Sequence, residues 1–121
     1  MFTVAFDRDA NRVVIRVHGF WRSEDVPPFA TAVGSVVRQA RAVSDDFDVL
    51  VESLDFPVQA NDVADLLPNV MRAGMSQTAG RAAVVVGSHL NRLQAERTLT
   101  HPRVRVFVTA EAAEAWLSRR D

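Results

Sequence analysis

Few residues of this chain are of types and spacings that could do chemistry. His18, His89 and His101 share no H-x-x-x-H or H-x-H spacing, and there is no cysteine to complete a set. A metal site is therefore not expected. Gly87-Ser88-His89 places a hydroxyl beside an imidazole, the nearest approach to a nucleophile and base. It lacks the G-x-S-x-G elbow, and Ser88 stands where a helix cap belongs. All 14 basic residues are arginine, which removes any Schiff-base or P-loop mechanism, since both need a lysine amine. The segment ESLDFPVQAND, Glu52 to Asp62, ends an apolar run and leads into a helix. Open α/β sheets place their functional groups at such junctions. This one offers Gln59, Asn61 and Asp62, two amides and a carboxylate, with no hydroxyl beyond Ser53. The reading is no catalysis, no metal and no cofactor.

Two weaker sites remain open. A strand ending at Gly87, followed by a helix starting at Ser88 and His89, aims backbone N–H groups out of the sheet and suits an anion. An ordinary strand–helix turn is the stronger reading, and Arg81 belongs at the far end of that strand. Gly19-Phe20-Trp21-Arg22 sets two aromatics at a strand–helix junction. Packing of Trp21 beneath the first helix is favoured. The alternative exposes Phe20, Trp21 and Phe56 together as an apolar partner surface.

The elements that must position these residues can be read in order. FTVAF and RVVIRVHG flank DRDAN as a hairpin. SEDVPPFATAVGSVVRQARAV is a helix with Ser23 as its cap and the stripe Phe29, Val33, Val36, Val37 and Ala40. FDVLVESLDF is the third strand. NDVADLLPNVMRAG is one helix, capped by Asn61, kinked at Pro68 and stopped by Gly74. Its Met71, with Met75 just beyond it, is read as core more than as a ligand pocket, although a Met-containing, Pro-kinked helix can open to an apolar guest. RAAVVVG is a central strand covered on both faces. Ser88 caps a helix, RVRVFV is the fifth strand, and Thr109 caps the last helix. The order ββαβαβαβα implies an α/β fold with four helices. Its five-stranded sheet is mostly parallel, with the first strand antiparallel.

Length and charge bound the rest. The 121 residues suit one domain, 1–121, with 48% hydrophobic and 24% charged residues. Net charge is −1, divided as −3 over residues 1–60 and +2 over 61–121. No general attraction to nucleic acid or an anionic membrane follows. Charges by the seventh residue argue against a signal peptide, and no apolar run approaches membrane-spanning length. A soluble cytoplasmic protein is expected.

Element order and length, together with VVIRVHGFWRSEDV, FDVLVESLDF, RAAVVVGS and RVFVTAEAAEAWL, resemble the STAS domain (sulfate transporter and anti-sigma factor antagonist). The resemblance is closest to its stand-alone bacterial SpoIIAA-like group and spans nearly the whole chain. It implies regulation by protein contact and, in some members, binding of nucleotides or apolar ligands. Anti-anti-sigma members carry a phosphorylated Ser or Thr at the head of the second helix, where this chain has Val58, Gln59, Ala60, Asn61 and Asp62. A phosphoryl acceptor needs an oxygen nucleophile, so the phospho-switch is not carried over. The expectation is a non-enzymatic regulatory module that contacts a regulatory protein or a second copy of itself. The alternative is a carrier or sensor of an apolar or anionic small ligand, such as a lipid or nucleotide.

Overall fold

The computed structural model describes residues 1–119. Strands β1 (Phe2–Asp7) and β2 (Arg12–His18) form the expected antiparallel hairpin, turning through Asn11 at φ 54°. Asparagine visits that left-handed region more readily than most residues, and here its Nδ2 donates to Asp46 Oδ1 at 3.0 Å. β3 (Asp48–Asp55), β4 (Ala82–Val86) and β5 (Val104–Phe107) follow in parallel, and the sheet order is β1-β2-β3-β4-β5.

That unbroken order dictates the layers. Each parallel crossover advances the same way and is right-handed, so the connecting helices must all lie on one face. These are α1 (Val26–Val43), α2 (Asn61–Ala64), α3 (Leu67–Met75) and α4 (His89–Thr98). Among the described residues, α5 (Ala110–Ser118) alone packs on the other face. The main core joins Val13, Ile15 and Val49 to Phe29, Val33 and Val37 of α1. On the opposite side Leu50, Ala83 and Val85 meet Ala113 and Leu117. β4 is thus buried on both faces, as its continuous apolar run required. α5 packs on β3 to β5, whereas Thr3, Ala5, Arg16 and His18 on β1 and β2 are exposed.

Two helix starts differ from expectation, both because of proline. Pro27 and Pro28 are held in the first turn of α1, so the α-helix begins at Val26. The preceding Ser23–Asp25 becomes a 3-10 turn, closed by Asp25 Oδ2 accepting from Arg22 N at 2.8 Å rather than by Ser23. The single kinked helix over 61–74 is instead two, interrupted at Asp65–Leu66. Pro68 takes the first turn of α3, because its ring would clash with the carbonyl of Ala64 in a continuous helix. Asn61 is the first residue of α2, Ala60 is its cap, and α3 continues past Gly74 to Met75. Ser88 and Thr109 cap as expected, accepting from Asn91 N at 3.1 Å and Ala112 N at 3.2 Å.

The amino edge of the sheet is fastened by guanidinium groups. Arg12 Nη1 donates to both oxygens of Glu114, at 2.9 and 2.8 Å. Arg81 donates to the carbonyls of Trp116 and Arg119 at the end of α5, and its guanidinium lies 4.5 Å from the Trp116 ring centre. Arg103 donates to the carbonyls of Met75, Thr78 and Gly80. Among the described residues no helix is long and apolar enough to cross a membrane.

Candidate functional site

Because β2, β3 and β4 run parallel, the residues that follow them emerge on one edge. Phe20 and Trp21 follow β2, Phe56, Gln59, Asn61 and Asp62 follow β3, and Gly87, Ser88 and His89 follow β4. The carboxyl edge therefore gathers these nine candidate residues. Two glycines make the approach possible. Gly19 adopts φ +84°, a left-handed value that favours glycine. A Cβ on Gly87 would lie 2.3 Å from the Leu54 carbonyl oxygen, so the turn into α4 can pass that close to β3 only without a side chain.

Gln59 is 3% exposed and its side chain is fully engaged inside the protein. Its Oε1 accepts from Trp21 N at 2.8 Å, while Nε2 donates to the carbonyls of Gly19 at 3.1 Å and Pro57 at 2.7 Å. One amide thus ties the loop after β3 to the loop after β2. α4 adds a second tie: Gln94 bonds both backbone groups of Gln59, and Asn91 Nδ2 donates to the Phe56 carbonyl at 2.8 Å. Sequence reasoning missed Asn91 and Gln94. The ordinary helix pattern hides them, because Asn91 and Gln94 turn inward at the start of α4 and Leu90 and Leu93 outward.

Trp21 is 1% exposed, beneath α1, with its Nε1 donating to the His18 carbonyl at 3.0 Å. Its ring meets Phe29 and Phe56 edge-on at 5.1 and 5.2 Å. The surface trio of Phe20, Trp21 and Phe56 does not form, since only Phe20, at 64%, is exposed. Other apolar side chains take its place on the same edge. Leu54, Val58, Leu90, Leu93 and Val108 are all exposed there, Leu90 to 68%.

Asn61 and Asp62 are exposed on the first turn of α2, and Asp62 Oδ1 accepts from Val63 N at 3.0 Å. The nearest preceding hydroxyl, Ser53, is buried within β3 and donates to the Val85 carbonyl at 2.6 Å. Ser88 and His89 are both exposed, and the Ser88 oxygen is occupied as the α4 cap. Arg81 lies at the opposite edge, and Arg92 pairs with Glu96 at 3.5 Å. Among the described residues no cluster of three or more His, Cys, Asp or Glu is placed to hold a metal ion. What this edge can do is present apolar surface on a frame locked by amide hydrogen bonds.

Behind the edge, between the helices and the sheet, lies an apolar pocket of about 140 Å³. Trp21, Phe29 and Phe56 line it together with Leu67 and Met71 of α3 and valines of β3 and β4. Met75 is buried in the main core and Met71 packs against it, as expected, and both also border the pocket.

No protein-family model matches the chain, and no curated protein matches it. Its structure is similar to the crystal structure of an anti-sigma factor antagonist from Mycobacterium paratuberculosis. The TM-score is 0.70 at 14% identity, covering 98% of this chain and 96% of that one. The fold is STAS-like, as the element order and motifs led us to expect.

Proposed function

We propose that this chain is a non-enzymatic regulatory module that acts by contact with another protein through the carboxyl edge of its STAS-like sheet, without a phospho-switch. The observation that carries the reading is the apolar surface at that edge. Leu54 is exposed at the end of β3, Phe20 and Val58 on the loops beyond, and Leu90 and Leu93 on α4, on a frame held by Gln59, Asn91 and Gln94. Exposed apolar residues gathered on one rigid edge suit a partner that buries them, because burial of such side chains drives association. The likeness in fold to an anti-sigma factor antagonist supports a regulatory role. The lack of a hydroxyl from residue 57 to 62 supports regulation by something other than phosphorylation of that turn. The contact surface lies where groups from three successive connections converge, the usual functional end of an open α/β sheet.

The test is site-specific photocrosslinking in the native host. A benzophenone amino acid replaces Phe20 or Leu90 at the carboxyl edge, or Val43 at the end of α1 as a control at the opposite edge. A discrete adduct from the first two positions and none from Val43 is expected, and the adduct mass separates a second copy from another protein. Labelling from Val43 alone would place the contact elsewhere. Intact-mass measurement of the same samples is expected to show no added phosphoryl group on residues 57–62.

A further inference from the structure

We infer that the apolar pocket between α1, α3, α4 and the sheet is a binding site for one small neutral apolar molecule, of the size of a substituted benzene. The layers of a protein ordinarily interlock with few voids larger than a water molecule, so about 140 Å³ of apolar space between helices and sheet, partly open to solvent, is a departure from ordinary packing. An enclosed apolar cavity of roughly 150 Å³ accepts benzene, and this partly open pocket is of similar volume. The lining has the matching chemistry. Trp21, Phe29 and Phe56 present aromatic edges and faces, Val51 and Val84 form the floor, and Met71 adds a polarizable side chain that adapts to a guest.

The polar groups on the wall argue against a charged ligand and against ordered water. Ser53 Oγ donates to the Val85 carbonyl and Asn91 Nδ2 to that of Phe56. Gln94 Nε2 donates to the Gln59 carbonyl and Thr98 Oγ1 to that of Gln94. Each of these donors is already directed at the protein's own backbone, and among the described residues no basic side chain lines the pocket. An anion entering it would lose its hydration with nothing in exchange, which sets nucleotides and fatty-acid carboxylates outside the ligand class. The wall formed by α3 is the one best able to admit a guest. The chain is interrupted before it at Asp65–Leu66, its start has no side-chain cap, and it rests on α1 and α2 more than on the strands. This inference stands on the pocket and is independent of the protein-contact reading.

Trp21 makes the test direct, because the other tryptophan, Trp116, lies with Phe107 on the opposite face of the sheet. In full-length protein carrying Trp116→Phe, bromobenzene is titrated while Trp21 fluorescence is followed. Saturable quenching is expected, reversed by toluene and unaffected by benzoate. Adding Val51→Phe fills the floor of the pocket and is expected to abolish the saturable phase. Ala64→Leu serves the same purpose on another wall, and circular dichroism shows which variant is folded. Quenching that rises linearly without saturation overturns the proposal. So does equal competition by benzoate, or undiminished binding in a folded, filled variant. If neither filled variant folds, toluene reversal in the parent decides alone: reversal supports the site and its absence overturns it.

Discussion

Gln94 pairs with the backbone of Gln59 as a neighbouring strand would, its Oε1 3.1 Å from Gln59 N and its Nε2 3.0 Å from Gln59 O. A helix side chain thereby completes a loop that has left the sheet. The residue so held uses its own side chain to secure Trp21, and the two amides act in series.

Replacing Gln59 by Leu keeps the volume and removes that second link, leaving Trp21 N and the Gly19 carbonyl without their partner. The expected loss is about 3 kcal/mol, since an unsatisfied buried polar group costs roughly 1–3 kcal/mol. Gln94→Leu should cost less, about 1–2 kcal/mol, because loop groups freed near the surface can turn to water. Chemical denaturation measures both. Faster hydrogen exchange at Trp21 N in the first variant, but not at the amides of β4, would locate the damage.

Glycine-to-alanine changes should differ in sign along the chain. At Gly87 the new methyl meets the Leu54 carbonyl at 2.3 Å, and the turn must shift at a cost of about 1–3 kcal/mol. At Gly74 nothing lies within 4 Å of the added carbon, and the site is inside α3. There alanine should stabilise by about 0.5–1 kcal/mol through helix propensity and a less flexible unfolded chain. Paired thermal melts of the two variants check the prediction, and a similar shift in both would refute it.

Phe20→Ser and Leu90→Ser remove exposed side chains that make little contact within the chain. Stability should change by no more than about 0.5 kcal/mol, while photocrosslinking from an unchanged neighbouring position, Val58, should fall sharply. Loss of folding in either variant would mean that these residues serve the core.

Arg81→Lys preserves charge but not the planar fork that reaches two carbonyls while lying over Trp116. A cost of about 1 kcal/mol is expected, because an ammonium cannot reproduce both the stacking and the paired bonds. A changed Trp116 emission in the folded variant, with Trp21 emission constant in a Trp116→Phe background, would assign the effect to this contact.

The strands and the caps of α4 and α5 were legible in the sequence because their causes are local, whereas Ser23 and Asn61 proved not to cap. Ser88 and Thr109 each sit within three residues of the amide they accept from, and β4 declares its burial by five apolar residues in a row. The break before α3 was only half legible. Pro68 announces a disturbance, but whether a helix bends or restarts depends on what α3 packs against. Gln59 was chosen as a surface candidate from its place at a strand end. Its burial depends on Trp21 and Gln94, 38 and 35 residues away in the chain, and no local pattern encodes such partners. Leu90 and Leu93 were hidden for a related reason. Leucines in a helix ordinarily mark the buried side, and here Asn91 and Gln94 occupy that side because the loop over Phe56 and Gln59 needs hydrogen bonds more than apolar cover.

The two ends of the sheet are closed by different kinds of bond. Arg12, Arg81 and Arg103 hold the amino end with full positive charges, whereas neutral amides from Gln59, Asn91 and Gln94 hold the carboxyl end. Dissolved ions screen charge-based contacts, above all partly exposed ones such as Arg12–Glu114, and act far more weakly on bonds between uncharged groups. Rising ionic strength should therefore weaken the Arg12–Glu114 tie at the amino end while leaving the amide bonds of Gln59, Asn91 and Gln94 in place. The loops over Phe56 and Gln59, held by uncharged amides, would keep their form across the salt concentrations in which a partner is met.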